Sequence, residues 1–486
     1  MKVFRTLGIA LLALTAWSGI ASSQEPFTAG TWTKVVAAPP SPNGVGHIQL
    51  LTDGSVIALD SGCSATGTWY RLTPNSAGSY VDGTWSMIGG MPAGYNPLYF
   101  GSAVLPNGKF IVMGGEYNAC SAVWTTLGAI YNPFTNKWTA MAPPAGWSTI
   151  GDAQSVVLNS GKFMLANCCT TDEAILTLSS TPTWTATGTG KADINDEEGW
   201  TLLPSGKLLT VDANNGANPS TSEIYTPSTG AWTAGPSLGV QLEDPSSHEL
   251  GPAVLRPDGT VFYAGATTHN AVYNSKTNTW STGPSFGGSL DIADGPGSLL
   301  PDGNVLLDAS PGVFKLGTKF FEWDGTALNA VPGPPRAASD SSYYGNMIVL
   351  PTGQILFTDF SLDVEIYTPV GSPCSGCAPA ITSVASTLTH AVKNNVIQGT
   401  QFSGKSQGAA YGDDSQNATN FPLVRITDSS GKVIYCRTHS FNSGVATGTR
   451  IVSAQFDIPA TITLGAATLN VVTNGIASAG VSVTIN

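Results

Sequence analysis

The chain has 486 residues, including 56 glycines and 32 prolines, and only 11% of its residues are charged. Its formal net charge is −12, and no basic cluster interrupts this acidic balance, which argues against nucleic acid or an anionic membrane as a partner. The length is sufficient for a large core and at least two domains, and the glycine and proline content predicts many short strands and turns.

The first residues predict an export signal. Lys2 and Arg5 precede an apolar run from Leu7 to Trp17, and small residues follow at 21–23. The apolar run is too short to span a bilayer. We therefore expect a signal peptide over residues 1–23 and a secreted protein, extracellular or periplasmic, without a membrane span.

Seven near-copies of one phrase follow, each with apolar residues, a glycine turn and more apolar residues. The turn glycines are Gly54, Gly108, Gly161, Gly206, Gly259, Gly303 and Gly353. A spacing of roughly fifty residues with strand–turn–strand content is typical of a kelch-type propeller. Asp-Gly, Asn-Gly and Ser-Gly supply the positive φ that a two-residue turn needs, so each phrase predicts a hairpin.

A tryptophan in a short predicted strand follows six of the hairpins. These residues are Trp85, Trp138, Trp184, Trp232, Trp280 and Trp323. With a third strand that ends in Tyr, this repeat gives four strands per blade. The seventh hairpin has its third strand but no tryptophan strand, and a spare one around Trp32 precedes the first hairpin. We therefore expect the N-terminal strand to complete the seventh blade and close the ring.

The chain has seven cysteines, so at least one is unpaired within it. Cys63, Cys120 and the pair at 168–169 each follow the second hairpin strand of blades one, two and three. This common position predicts a disulfide between adjacent blades, Cys63 with Cys120, and leaves a thiolate metal site as the alternative.

The sequence pattern changes after the last predicted blade. Cys374 and Cys377 lie in a linker at 373–378 and predict a small structural disulfide rather than a redox site. The blade repeat, assigned to residues 24–372, then gives way to Ser/Thr/Val-rich alternation over residues 379–486. The predicted fold class is therefore all-β, a seven-bladed kelch-type β-propeller followed by an immunoglobulin-like β-sandwich.

Two features of this last region bear on modification and metal binding. Asn417 begins an Asn-Ala-Thr sequon, which matters only in a host that glycosylates. Asp413 and Asp414 could contribute to a calcium site, but adjacent acids in a polar loop are commonly just solvated.

In a propeller, the loops that lead into the innermost strands gather at one mouth of the central channel. The polar and aromatic residues at or beside the position nine before each turn glycine are His47, Tyr99, Asp152, Glu197, Trp200, His248, Asp294, Tyr343 and Tyr344. Convergent carboxylates can bind a cation, share protons or hold sugar hydroxyls, although each side chain alone could simply cap a strand. We expect a ligand site at this mouth.

A kelch-type propeller followed by an immunoglobulin-like domain resembles the galactose oxidase and glyoxal oxidase family of secreted copper-radical enzymes, over nearly the whole mature chain. The phrase GVGHIQLLTDG resembles the opening blade of the glyoxal oxidase branch. The phrase YCRTHSFNSG resembles the segment that delivers a copper-binding His into the channel, which implies His439 as a metal ligand together with Tyr343.

The family's copper site also needs a Cys linked to a Tyr, and a Tyr-His pair. Registering the turn glycines puts Tyr99 at the Cys position, Asp152 at the linked Tyr position and Tyr343–Tyr344 at the Tyr-His pair. Only Tyr343 and His439 then match the family pattern. The resemblance thus implies the fold and a copper-radical site that is not retained, with copper still a candidate cofactor.

Three functions remain in view. The first is binding of a carbohydrate or other extracellular ligand at the channel mouth. The second is a metal-dependent oxidase of alcohols or aldehydes with altered ligands, related to galactose and glyoxal oxidase and using His439, Tyr343, Tyr344 and Asp152. The third is an interaction scaffold in the cell envelope. A stoichiometric metal would favour the second, glycan binding without turnover the first, and a protein partner alone the third.

Overall fold

The structure is a computed structural model that describes residues 27–215, 220–413 and 417–486. These residues are almost entirely β and form many small antiparallel sheets without an α-helix, as in a β-propeller. Within these ranges no helix is long and apolar enough to cross a membrane. The signal peptide expected over residues 1–23 lies outside the described residues.

Seven antiparallel sheets follow one another along the chain, and we number them 1 to 7. Sheet 1 consists of Val45–Leu50, Val56–Asp60, Trp69–Thr73 and Thr84–Met87. Sheet 2 consists of Gly101–Val104, Phe110–Met113, Gly128–Asn132 and Lys137–Ala140. Sheet 3 consists of Ser155–Val157, Phe163–Ala166, Glu173–Thr177 and Thr183–Thr187.

The remaining sheets repeat this order of strands. Sheet 4 consists of Thr201–Leu202, Leu208–Val211, Ser222–Thr226 and Ala231–Ala234. Sheet 5 consists of Leu250–Leu255, Thr260–Gly265, Asn270–Asn274 and Thr279–Thr282. Sheet 6 consists of Pro296–Leu299, Val305–Ala309, Lys319–Trp323, Leu328–Val331 and the added strand Ala409–Tyr411. Sheet 7 consists of Asn346–Val349, Ile355–Thr358, Glu365–Thr368 and the N-terminal strand Thr31–Lys34.

The hairpins that begin these sheets all turn in the same way. In sheet 1, the Leu51 N–H donates to the Ser55 carbonyl and the Gly54 N–H donates to the Leu51 carbonyl. This pattern is a three-residue loop with glycine in the left-handed region, so the expected two-residue turn is wrong by one residue. All seven turn glycines have φ between +76° and +97°, a conformation that disfavours any residue with a Cβ.

In four of the seven sheets the repeated tryptophan belongs to a cross-strand aromatic pair, whereas Trp85 and Trp184 face leucines. In sheets 2, 4 and 5 a third-strand Tyr faces a fourth-strand Trp, with ring centroids 5.1 to 5.4 Å apart. Trp32 pairs in the same way with Tyr367, so the N-terminal strand completes sheet 7 as the sequence predicts. Sheet 6 departs from the pattern, because Trp323 ends the third strand and faces Leu328. The expectation that Trp323 lies in a fourth strand is wrong.

The first strands of the sheets lie side by side. Those of sheets 2 and 3, 4 and 5, 5 and 6, and 6 and 7 contact one another, and the first strand of sheet 7 contacts that of sheet 1. In an antiparallel pair, the loop before the first strand and the loop after the second strand share one edge. The hairpin turn lies at the opposite edge, so the sheets present a loop face and a turn face.

Three shorter elements lie on the loop face. Two of them are the 3₁₀ helices Ala337–Ser339 and Ser342–Tyr344, which precede the first strand of sheet 7. The third is a small sheet that consists of Pro97–Leu98, Tyr117–Asn118 and Ser121–Ala122. This small sheet joins the loops on either side of the first hairpin of sheet 2.

Residues 380–486 form two further sheets. One consists of Ala380–Val384, Asn395–Thr400, Val452–Phe456 and Thr438–His439. The other consists of Thr387–Leu388, Val481–Ile485, Gly465–Thr473, Leu423–Asp428, Val433–Cys436 and Ile476–Ala477. Tyr435 packs against Gly54, and Gly475 packs against Gly353. This C-terminal region therefore covers the turn face.

One part of the C-terminal region leaves its own sheets. We call residues 405–413 and 417–420 the channel segment. Ala409–Tyr411 adds to the first strand of sheet 6, and the Gln407 side-chain carbonyl accepts the Leu202 N–H of sheet 4 at 2.7 Å. The segment therefore runs between the first strands of the sheets, from the turn face toward the loop face.

Asn417 belongs to this segment and is only 1% exposed. Its side-chain N–H donates to the Met347 carbonyl of sheet 7 at 3.0 Å. A glycan on this amide would displace that hydrogen bond and has no space among the surrounding strands. The folded chain is thus incompatible with use of the sequon.

Six of the cysteines are bonded in pairs, Cys63 with Cys120, Cys168 with Cys169, and Cys374 with Cys377. The first pair joins the loops that follow the second strands of sheets 1 and 2. Cys436 is the free cysteine of the described residues and is buried. Sulfurs held in disulfides are not thiolates, so these six residues do not offer the alternative thiolate metal site.

Candidate functional site

A cavity of about 310 Å³ opens on the loop face, and we call it the acidic pocket. Its lining residues are Tyr99, Glu116, Tyr117, Asp152, Glu197, Glu249, Asp294, Phe314, Tyr343 and Asp413. Six of these ten residues are carboxylates, three are tyrosines, and none is a lysine or arginine. The pocket can therefore offer acceptors and aromatic faces, but its own lining holds no counter-charge.

The pocket residues come from three kinds of segment. Six lie in the loops that precede the first strands of sheets 2 to 7. Glu116 and Tyr117 follow the second strand of sheet 2, and Phe314 follows that of sheet 6. Asp413 comes from the end of the channel segment. Segments far apart in sequence thus converge because the first strands lie side by side.

Three of these loops share an unusual backbone conformation. Tyr99, Glu197 and Asp294 each stand nine residues before a turn glycine, with φ values of 49°, 61° and 52°. The left-handed region is unfavourable for residues with a Cβ, and such positions occur more often at functional sites. The repeated conformation brings equivalent side chains from sheets 2, 4 and 6 to the same cavity.

The carboxylates lie close to one another. One oxygen each from Glu197, Glu249 and Asp294 lies within 4.8 Å of the other two, and Asp152, Glu197 and Asp413 form a second such group. Asp152 is 5% exposed and Glu249 is 7% exposed. Asp152 Oδ1 and Glu249 Oε2 have no hydrogen-bond partner among the described residues. Buried polar atoms are normally paired, so these oxygens point to an interaction that the described residues do not supply.

Burial makes ionisation of this cluster unfavourable. It raises the pKa of Asp152, Glu197 and Glu249 well above the usual range, and raises that of Asp294 to about 7. Neighbouring carboxylates add to the pKa shifts, with Glu116 acting on Asp152, Glu249 on Glu197, and Asp294 on Glu249. At neutral pH the cluster without a bound cation therefore retains protons.

Aromatic rings form the remaining wall. The rings of Tyr99 and Tyr117 lie 6.2 Å apart, and those of Phe314 and Tyr343 lie 5.2 Å apart. Phe314 is 41% exposed, which places its ring at the rim. Such faces can stack on the C–H face of a sugar ring or on another flat ligand.

The structure brings together five residues that the sequence predicts for the site: Tyr99, Asp152, Glu197, Asp294 and Tyr343. Tyr344 does not line the pocket but packs behind Tyr343, with ring centroids 4.4 Å apart. Tyr99, Asp152, Glu197 and Asp294 stand nine residues before their turn glycines, whereas Tyr343 stands ten residues before Gly353.

Trp200, His47 and His248 do not line the acidic pocket. Trp200 is 1% exposed and packs on Trp232, so it is a core residue. His47 lies in the first strand of sheet 1, with its ring 4.6 Å from that of Phe100. Burial lowers its pKa to about 3, so this imidazole stays neutral. The Nδ1 of His248 lies 3.1 Å from the Ala213 carbonyl oxygen, outside the pocket.

His439 does not reach the pocket, so its assignment as a metal ligand with Tyr343 is wrong. Its Nε2 lies 3.2 Å from Asp457 Oδ1, and its Nδ1 lies 3.1 Å from Ser440 Oγ. Its Cβ packs beside Gly108, a turn glycine, whereas Tyr343 lies on the loop face. The two faces are separated by the length of a first strand, about 13 Å for the four residues of Gly101–Val104 at about 3.3 Å per residue.

The sequence pattern did not select Glu116, Tyr117, Glu249 or Phe314 as site residues. Glu116, Tyr117 and Phe314 lie in loops that follow second strands, which share an edge with the loops before first strands. Cys63 and Cys120 also lie in loops that follow second strands, so their common position in the sequence already indicated that these loops share one face. The sequence suggested Asp413 as a possible calcium ligand but did not place it in this pocket, because its position depends on the path of the channel segment.

The pocket does not fit the copper-radical chemistry of the family that the sequence resembles. Its lining residues offer oxygen donors only, whereas copper of that type needs imidazole ligands and a thioether-linked tyrosine. No histidine or cysteine stands among the ten lining residues. No oxidation step can be derived through copper at this position.

A larger groove of about 560 Å³ lies on the outer strands of sheets 2 and 3. Trp184, Met141 and Ile130 contribute its apolar part, and Lys137 lies at its edge. It contains no carboxylate and none of the convergent loops. The acidic pocket is therefore the stronger candidate for chemistry or for specific binding.

No family model matches the chain, and no curated protein matches it. Among solved structures, the chain is similar to a fungal alcohol oxidase of the AA5 family in complex with copper, at 12% identity and a TM-score of 0.51, over 94% of this chain and 100% of that one. This likeness supports a propeller-like fold.

Two further similarities are more remote. A streptogramin B lyase has 10% identity and a TM-score of 0.49, over 70% of this chain and 98% of that one. The extracellular domain of a hybrid two-component system from B. thetaiotaomicron has 9% identity and a TM-score of 0.48, over 94% of this chain and 60% of that one.

Proposed function

We propose that this protein is an exported, galactose-oxidase-like binding protein that takes up a carbohydrate or another extracellular polar ligand in the acidic pocket. In this proposal sheets 1 to 7 are the seven blades of a kelch-type propeller over residues 24–372, residues 373–378 are the linker, and residues 379–486 are an immunoglobulin-like domain. The cavity with six carboxylates and four aromatic rings on the loop face carries the proposal.

The lining suits a polyhydroxylated ligand. Carboxylate oxygens accept hydrogen bonds from hydroxyls, and tyrosine rings offer faces for the apolar side of a sugar ring. The volume of about 310 Å³ lies at the lower end of the range for small-molecule sites, which favours a single sugar residue or a chain end. Loops on a rigid scaffold commonly carry such sites.

Export is supported by the cysteines as well as by the predicted signal peptide. The three disulfides would persist in an oxidising compartment and would be reduced in most cytosols. The oxidase alternative loses its supporting geometry, since His439 lies at the turn face and the pocket offers no imidazole. The scaffold alternative has no feature in the described residues that favours it over pocket binding.

Glycan-array binding with the Tyr343→Ala variant tests the proposal. Tyr343 lines the pocket and contacts Phe314, so we expect its truncation to weaken binding at least about tenfold, equivalent to about 1.4 kcal/mol. Phe134→Ala is the matched control, because this aromatic side chain is 55% exposed and lies outside the pocket. Absence of glycan binding, or equal losses in the two variants, would refute carbohydrate recognition at this pocket.

A further inference from the structure

The acidic pocket holds more negative charge than its surroundings can balance. Glu197 belongs to both close groups of carboxylates, one with Glu249 and Asp294 and the other with Asp152 and Asp413. None of the ten residues that line the pocket is a lysine or arginine. Five acidic groups at this spacing need protons or a bound cation in order to coexist.

Two partnerless oxygens give independent evidence for a ligand. Asp152 Oδ1 and Glu249 Oε2 are both buried, both belong to lining residues, and neither has a hydrogen-bond partner among the described residues. A buried carboxylate oxygen without a donor is costly in a native protein, and a bound cation removes that cost.

We propose that the acidic pocket binds a calcium ion through the carboxylates of Glu197, Glu249 and Asp294, with Asp152 and Asp413 as the adjacent acidic groups. This proposal rests on the proposed function for the role of this pocket. It adds to that function the cation that prepares the site for its ligand. Glu197 is its central residue, since both close groups include this side chain.

The oxygen spacing fits calcium. Calcium takes six to eight oxygen ligands at about 2.3–2.6 Å, so two oxygens on one ion can lie up to about 5 Å apart. The chosen oxygens of Glu197, Glu249 and Asp294 all lie within 4.8 Å of one another, so a single calcium ion could contact all three. Magnesium usually keeps several waters and is held by one or two carboxylates, so a cluster of three carboxylates favours calcium.

The donor chemistry also selects a hard cation. Carboxylate oxygens prefer calcium, magnesium or manganese, whereas copper and zinc prefer imidazole and thiolate. No imidazole lines the pocket, and Cys168, which lies beside Asp152, is held in a disulfide. Copper is therefore expected to bind this pocket only weakly, in contrast to what the family resemblance implies.

A bound calcium ion would leave room for a ligand. Three carboxylates supply at most six oxygens, and fewer if they bind through one oxygen each, so positions remain for water or for ligand hydroxyls. The ion would thus link the acidic floor of the pocket to a polar ligand held against Tyr99 and Tyr343. Sugar binding at this site is then expected to depend on calcium.

Isothermal titration of the chelator-treated, full-length secreted protein with calcium chloride alone tests the proposal. We expect one calcium per chain, a higher melting temperature with calcium than with chelator, and at least tenfold weaker binding in Glu197→Gln. Glu173→Gln is the matched control, because Glu173 is a buried carboxyl outside the pocket. Where Glu197→Gln does not fold, as judged by its circular dichroism, Asp294→Asn replaces it, since Asn tolerates the left-handed backbone at this position.

The outcomes separate this proposal from the proposed function. No calcium binding up to several millimolar by folded protein, or equal binding by wild type and Glu197→Gln, would overturn the calcium site. Calcium binding without glycan binding would support the ion and overturn carbohydrate recognition. Glycan binding that is unchanged by chelator would support recognition and overturn the calcium requirement.

Discussion

Glu173 ties sheet 3 to sheet 4 through a single buried carboxyl. It is 2% exposed, and its Oε1 accepts a hydrogen bond from the Trp232 Nε1–H at 2.7 Å. Its Oε2 has no partner among the described residues. Burial raises its pKa to about 8, against the opposing effects of the Trp232 hydrogen bond and the Lys191 charge. The residue therefore titrates in the neutral range, and it does not line the acidic pocket.

The stability of the protein should respond to this titration. Since the pKa of Glu173 is higher in the folded chain than in the unfolded chain, its contribution is complete below about pH 4.5 and is lost as pH rises through about 8. The loss is up to about 1.4 kcal/mol per pH unit. Glu173→Gln keeps an acceptor for Trp232 and removes the titration, so its free energy of unfolding should fall less steeply between pH 5 and pH 8.

Urea unfolding at a series of pH values measures this difference. Asp82→Asn, a neutralised carboxyl at an exposed position, should keep the wild-type slope. Parallel slopes for wild type and Glu173→Gln would show that Glu173 is ionised throughout this range in the folded protein.

At the scale of elements, neighbouring sheets are joined mainly through their loops and first strands. The disulfide between Cys63 and Cys120 links the loops of sheets 1 and 2 and spans 57 residues of sequence. The Cys374–Cys377 disulfide spans only three. A longer closed loop restricts the unfolded chain more strongly, so the two bonds should differ in their effect on stability.

Removal of each disulfide tests this difference. We expect Cys63→Ser with Cys120→Ser to lower the free energy of unfolding by about 2–4 kcal/mol, and Cys374→Ser with Cys377→Ser to lower it by clearly less. Chemical unfolding under non-reducing conditions gives both values. Similar losses in the two double variants would mean that loop length does not decide the contribution.

At the scale of the whole molecule, the N-terminal strand joins the two ends of the run of sheets. Trp32 lies against Phe320, Phe357 and Tyr367, with ring centroids 5.2, 5.6 and 5.0 Å away. Its indole N–H donates to the Pro332 carbonyl at 2.7 Å. Sheet 7 without this strand would expose the edge of Glu365–Thr368, an unpaired edge that propellers avoid by such closure.

Trp32→Ala should therefore loosen the closing strand. We expect a loss of about 2–4 kcal/mol in the free energy of unfolding, from the lost aromatic packing and the lost hydrogen bond. Limited proteolysis should then cut within residues 27–34 faster than in wild type. Trp184→Ala is the control, because Trp184 lies in a fourth strand whose partners are all local in sequence. Faster N-terminal cleavage in both variants would argue against a specific closing role for Trp32.

Short-range features of the sequence determine the repeated sheets of this protein without any tertiary contact. A glycine in each turn, a third-strand Tyr facing a fourth-strand Trp, and a constant hairpin length are short-range features, so the repeated sheets follow from the sequence. The unpaired third strand before Pro369 and the spare strand at Trp32 indicate the closure. The same spacing selects Tyr99 and Asp294 for the pocket.

Only the tertiary structure decided which part of the C-terminal region enters the channel. This region has no repeat that could register His439 against the sheets, and the side chain ends at the turn face beside Gly108. The pairing of Ala409–Tyr411 with sheet 6 brings Asp413 to the pocket instead. Such pairing depends on backbone hydrogen bonds between strands that are distant in sequence. Because backbone groups are the same in nearly every residue, no local sequence pattern predicts this pairing.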